Sequence, residues 1–231
     1  MAFPSTFLDL QNAVIGKIRL DPNQDSQRVK DWINQAYARV AVETEAFQRT
    51  NYDYATADAG SYTLPTDVLR IKEVTVQQSG STQWGPPLEQ TTIDAILNMR
   101  QGSGGDNGGV PTYYALSGIS RYELFPTPLS SELKVRFYYV YLPTPLVANT
   151  DIPLLQEPYS SYLLEYGALS EGADFLTDPK VADYRQLYEV WMRQFRQHLS
   201  RKQGGQVRQL AIGGNGGGGW RPSDPGVDQG V

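Results

Sequence analysis

Residues Lys134 to Leu142 read KVRFYYVYL, and their alternation decides the fold class of the middle of the chain. Val135, Phe137, Tyr139 and Tyr141 fall on one face, while Arg136, Tyr138 and Val140 fall on the other. A period of two is that of a β-strand. The same character extends back through RYELFP (Arg121 to Pro126), TYYALSG (Thr112 to Gly118), IKEVTVQ (Ile71 to Gln77) and YTLP (Tyr62 to Pro65). Ser117–Gly118 is a turn between two of these strands. In IKEVTVQ, Ile71, Glu73, Thr75 and Gln77 alternate imperfectly with Lys72, Val74 and Val76. Between the strand groups, TTIDAILNMRQ (Thr91 to Gln101) reads as a short helix. Thr91 or Thr92 is its cap, and the loop GSGGDNGG (Gly102 to Gly109) is its end.

Outward from this β-rich block the period changes to that of helices. Phe7, Leu10, Val14 and Ile18 recur at spacings of three and four, which predicts a helix from about Ser5 to Arg19. Asp21–Pro22 breaks it. A second helix starts at Asp25 or Ser26, carries Val29, Ile33, Ala36, Tyr37 and Val40, and ends near Phe47. On the far side, Leu155, Tyr159, Tyr162, Leu163, Tyr166, Leu169 and Ala173 keep a helical period to Leu176. Gly167–Ala168 leaves a small surface where another helix can come close. Asp178–Pro179 then opens a last helix with Tyr184, Tyr188, Trp191, Phe195 and Leu199 on its stripe. Gly204–Gly205 is its expected stop.

The expected architecture is α+β: a four-helix bundle with a small antiparallel β-domain inserted between its second and third helices. The bundle would take residues 1–50 and 151–205, the β-domain 51–150, and a glycine-rich arm 206–231. Eight of the sixteen residues from Gly204 to Gly219 are glycine, followed by Trp220–Arg221. Such chain orders at a large entropic cost, so its tryptophan reads as an anchor for a partner.

Composition removes several chemistries. The 231 residues contain no cysteine, which excludes disulfides, cysteine-ligated zinc and a thiol nucleophile. The net charge of −5 lacks the basic footprint of a dedicated DNA binder. The N-terminus shows no signal peptide pattern, and no apolar run approaches the roughly 18 residues of a membrane helix. The single histidine, His198, sits among Arg196, Arg201 and Lys202, where basic groups suit a helix C-terminus. The Gly102–Gly109 loop lacks the Lys–Ser/Thr of a phosphate loop, and Asp106–Asn107 is too sparse for calcium. Asp174, Asp178 and Asp183 read as a solvated face. No catalytic, cofactor or metal residue is assigned, and the chain is read as a non-enzyme.

The order of elements and their phrases resemble the head-to-tail adaptor proteins of tailed bacteriophages, also called head completion or connector proteins. The phrases are VKDWINQAYARVA, YTLPTDVLRIKEVTV, PTYYAL, YELFPTP, VRFYYV and DIPLLQEPYSSYLLEYGALSEGADFL, then a final aromatic-rich helix, and the resemblance covers most of residues 25–200. The resemblance implies a structural virion protein made in the host cytoplasm and placed in the virion neck. It implies a ring, twelve-fold by family resemblance, beneath the portal protein, with a downstream tail or stopper protein on its other face. Genomic DNA would pass through the channel without sequence-specific binding, and neither cofactor nor membrane is involved.

Within that reading the arm docks on the portal through Val207, Leu210, Ile212, Trp220 and Arg221. About 25 extended residues span roughly 80 Å, enough to reach a neighbouring component. Gly105, Asp106 and Asn107 are candidate ring or tail contacts at a loop tip. Arg193, Arg196, Arg201, Lys202 and Arg208 form a basic cluster that faces either portal or DNA. Two alternatives stand beside it. One is a tail-completion or stopper protein of the same virion. The other is a ligand-binding module whose surface would be Tyr113, Tyr114, Tyr138, Tyr139 and Tyr141.

Overall fold

Helix α1 (Phe7–Ile18) begins at a capping box. The Thr6 hydroxyl accepts the Asp9 N–H, and the Asp9 carboxylate accepts the Thr6 N–H at 3.2 Å. Its stripe of Phe7, Leu10, Val14 and Ile18 is buried as the spacing requires. Helix α2 (Pro22–Thr44) starts earlier than Asp25 or Ser26. Pro22 is its first residue, where a missing N–H costs nothing, and the Asp21 carbonyl accepts the Asp25 N–H at 2.9 Å. The computed structural model describes residues 6–55, 59–78, 80–102, 106, 108–129 and 133–212. Contacts divide the chain between Met192 and Arg193 into two units.

Helix α4 (Tyr159–Phe175) is the hub of the helical layer in the first unit, and most of its residues are buried. Gly167 permits this. A Cβ on it would stand 2.6 Å from the Ala36 Cβ of α2 and 3.3 Å from the Tyr188 ring of α5 (Val181–Ile212). At Gly172 a Cβ would stand 2.8 Å from the Trp32 ring. Ion pairs fix the register. Lys17 of α1 reaches the buried Glu165 at 2.5 Å, and Arg39 of α2 pairs with Glu171. Asp178 opens α5 by accepting the Lys180 N–H at 2.8 Å, and Trp191 stacks on Tyr162 with centroids 4.1 Å apart.

Seven strands make two sheets: β1 (Gln48–Tyr54), β2 (Ser61–Thr63), β3 (Val68–Gln77), β4 (Glu89–Thr91), β5 (Tyr113–Ser117), β6 (Arg121–Phe125) and β7 (Lys134–Tyr141). One sheet is ordered β1-β7-β3 and the other β2-β6-β5-β4. The alternating strand β7 is the centre of the first, with Phe137 between Asn51 and Val74. Register shifts in β3 between Val68 and Glu73 account for its imperfect alternation. The sheets share one core, in which Tyr122 stacks on Tyr62 at 5.2 Å and meets the Phe137 ring edge-on at 4.9 Å. Phe47 links this layer to the helices, lying 5.4 Å from Tyr37 and 6.1 Å from Tyr141.

Three expectations are corrected. The α+β class holds, but the helices are not a four-helix bundle: five helices and two sheets occur among the described residues. A bundle needs four comparable helices, each burying one stripe. Here α4 is covered nearly all round, and the fifth helix, α3 (Ile93–Gln101), lies within the β-rich stretch, capped by Thr92. The sheets are not purely antiparallel either, because β4 runs parallel to β5. Finally, Gly204–Gly205 does not stop α5, which continues to Ile212. Interior glycine costs about 1 kcal/mol relative to alanine, which weakens a helix without forbidding it, and Gln, Arg, Leu and Ala favour helix beyond.

Arg100 of α3 ties down the loop that follows it. Its guanidinium pairs with Glu123 at 2.7 Å and Asp106 at 3.4 Å, and it donates to the Leu124 carbonyl at 3.2 Å. Asp106 also accepts from the Thr127 hydroxyl, the Thr127 N–H at 3.0 Å and the Gly108 N–H at 3.2 Å. Burial pushes its carboxyl pKa up, but these hydrogen bonds and the Arg100 charge outweigh that and hold it below the ordinary value.

Two outcomes follow. Gly167→Ala gains helix propensity but must displace Ala36. A net loss of about 1–2 kcal/mol is expected, lowering the melting temperature by about 2–8 °C; a rise would show that the helices are not this close. Asp106, with its depressed pKa, contributes stability that is complete above its ordinary value near 3.9 and lost as pH falls through the folded value. The melting gap between wild type and Asp106→Asn should therefore be constant above about pH 5 and shrink as pH falls below about 4. A gap independent of pH would refute the clip.

Candidate assembly surface

The open face of the β1-β7-β3 sheet carries the densest group of exposed aromatic side chains on described strands. The strand period places it: residues 134, 136 and 138 of β7 point away from the core, opposite Tyr54, Tyr52 and Thr50 of β1. Tyr52 and Tyr54 are exposed, at 58% and 59%. The Tyr52 ring lies 5.7 Å from Trp84, and the Arg136 guanidinium covers Trp84 at 4.6 Å. Lys134 lies over Tyr54 at 5.6 Å, and the Tyr138 hydroxyl donates to Gln48. Arg136 is held in place by Thr75 at 3.0 Å and Glu73 at 3.6 Å. Flat rings with fixed cations above them suit contact with another macromolecule, because little side-chain freedom remains to be lost.

The outer edge of β1 is guarded. Asn51 accepts the Tyr52 N–H with its side chain at 2.9 Å, and Asp53 accepts the Tyr54 N–H at 2.8 Å. These two N–H groups point away from β7, so their capping blunts an edge that would otherwise pair with any passing strand. The face is thus available while the edge is not.

Beside Trp84 a cleft of about 380 Å³ opens between the 83–88 turn and the 110–112 segment. Its lining includes the apolar Val76, Trp84, Pro86, Pro87, Val110 and Pro111 and the polar Gln78, Gln83 and Thr112. The chain is fixed here by the Gly85 N–H donating to the Val76 carbonyl at 2.8 Å and the Leu88 N–H to that of Val74 at 2.8 Å.

The tyrosines named from sequence as a ligand surface do not form one. Tyr114 and Tyr139 are buried in the core and only Tyr138 of the β7 trio faces outward from an exposed position. Tyr52, Tyr54, Trp84, Lys134 and Arg136 take that place. The signal for them was the unassigned strand QRTNYDY opposite KVRFYYVY, visible only once pairing is known. Of the proposed contact residues, Asp106 turns its carboxylate inward to Arg100 and Thr127, and Gly105 and Asn107 lie outside the described residues. Val207, Leu210 and Ile212 fall on the backbone of α5, and Trp220 and Arg221 lie outside the described residues. Arg193, Arg196, Arg201 and Lys202 are exposed on α5. His198 is half-buried within that helix and well short of its end, so the helix-terminus reading of it lapses. Among the described residues no group of three or more His, Asp or Glu could hold a metal ion. No described helix is long and apolar enough to cross a membrane.

No curated protein matches the chain. A family model does: that of the SU10 adaptor protein, over residues 5–216, which takes in every described element from α1 to α5. With the match covering nearly all of the described fold, the chain belongs to the SU10 adaptor protein family, in keeping with its resemblance to phage head-to-tail adaptors.

Proposed function

We propose that the protein is the structural ring that joins capsid to tail, seated beneath the portal in the virion neck, with DNA passing through its channel. The observation that carries this reading is the family match over residues 5–216. Copies meet laterally through surfaces such as the aromatic face of Tyr52, Tyr54, Tyr138 and Trp84, and a downstream tail or stopper protein takes the other side of the ring. A twelve-fold ring is the expectation from the adaptor resemblance. No chemistry is required of it; assembly is driven by burial of apolar surface on a partner.

The arm supplies the portal contact. Val207, Leu210 and Ile212 provide apolar anchors near the end of α5, and Trp220 with Arg221 the distal one. Trp and Arg are the residues that most often dominate interfaces, because each buries a large area and keeps a polar group for pairing. Repetition around a ring multiplies a weak single contact into firm attachment.

Co-migration on a sizing column with the portal of the same genome tests this. The full chain is expected to join the portal, and a chain ending at residue 205, which loses the last seven described residues of α5, to stay folded but fail to join. Joining by the shortened chain would place the docking surface in the folded body, and failure of both would remove the portal from the list of partners.

A further inference from the structure

The cleft beside Trp84 has the chemistry of a receptor for extended, proline-bearing chain. Its walls combine a tryptophan with three prolines, and prolines lose no rotamer freedom when covered. Trp84 makes ring contacts with Tyr52 and Arg136 but no hydrogen bond among the described residues, so its indole N–H is available to a carbonyl. A volume of about 380 Å³ accommodates a few residues of a strand-like or polyproline segment, not a helix or a domain. Aromatic-lined grooves bind such segments well because the polyproline II conformation is already ordered before it docks.

The chain itself carries a segment of this kind outside the described residues. Residues 220–225 read Trp-Arg-Pro-Ser-Asp-Pro, so Pro222 and Pro225 stand three apart, the repeat of a polyproline II helix. We infer that the cleft of one copy receives Pro222–Pro225 of a second copy. Charge supports the choice: Asp224 lies between the prolines, and the Arg136 cation, paired with Glu73 at 3.6 Å, covers the Trp84 ring beside the cleft. Length supports it as well. Thirteen residues, 213–225, follow the last described residue of α5, Ile212, and would reach roughly 40 Å if extended. A second copy held nearby is offered this segment at an effective concentration of about millimolar, which fills even a weak site. The inference rests on the reading that copies assemble together. It uses residues distinct from those assigned to the portal, which end at Arg221.

The test is fluorescence anisotropy of a labelled peptide of residues 219–227. The titrant is the full chain carrying Pro222→Ala and Pro225→Ala, so that its own tail does not compete. Saturable binding with Kd between about 10 μM and 1 mM is expected. A peptide with both prolines replaced by alanine should bind at least tenfold more weakly. Val110→Asp and Thr112→Glu, both at exposed positions on the cleft, should each reduce binding at least tenfold with an unchanged melting temperature. No saturation by about 1 mM, equal binding of the alanine peptide, or binding unaffected by both cleft variants overturns the proposal. The portal experiment reads a different partner: peptide binding without portal co-migration leaves the cleft standing and removes the arm-to-portal contact, and the reverse result does the opposite.

Discussion

Everything in the helical layer depends on how closely α2 and α4 approach. Gly167 and Gly172 remove the two side chains that would hold these helices apart, so Ala36 and the Trp32 ring lie against bare backbone. At that spacing Arg39 meets Glu171. α4 can then be covered by α1, α2 and the start of α5 together, which is why a helix rich in Gly, Ala and Ser becomes the hub. A wider helix pair would put Glu171 out of reach of Arg39, and the partly covered carboxylate would lose its cation.

The position of α2 carries over to the sheets. Tyr37 on α2 abuts Phe47, and Phe47 abuts Tyr141 at the end of β7, so the central strand is registered against the helices by three rings. The same register pairs Arg49 with Asp67, and Glu45 at the end of α2 with Arg70 and Lys72 of β3. The Lys72 and Arg70 contacts hold the Glu45 carboxyl below its ordinary pKa. With β7 fixed, one of its faces must enter the core beside Tyr122, and the other must present Lys134, Arg136 and Tyr138 outward.

For an adaptor this division is useful. Assembly proteins need sticky surfaces that engage one partner and stay clear of others. The aromatic face meets that need with rings held under cations, while Asn51 and Asp53 cap the adjacent strand edge that would pair indiscriminately. If copies meet through this face, as proposed, affinity comes from area and rigidity and selectivity from what is kept covered.

The helical stripes, the strand KVRFYYVYL and the Gly167–Ala168 approach were all legible in the sequence, because each depends on residues a few positions apart. The family was legible too, since it rests on the order of such phrases. Strand β1 was not, because QRTNYDY is polar and exposed and becomes a strand only by pairing with β7 from far along the chain. The same is true of β4, whose three residues gain their identity from a parallel neighbour. Nor could the sequence say which tyrosines are surface. Tyr138 and Tyr139 are adjacent and chemically identical, and one is buried because β7 has Phe137 and Tyr139 facing the other sheet. By itself, then, the sequence determined the periods and therefore the elements. Only the tertiary structure decided which face of each element is covered, because periodicity defines two faces and the partner that covers one of them is distant in sequence.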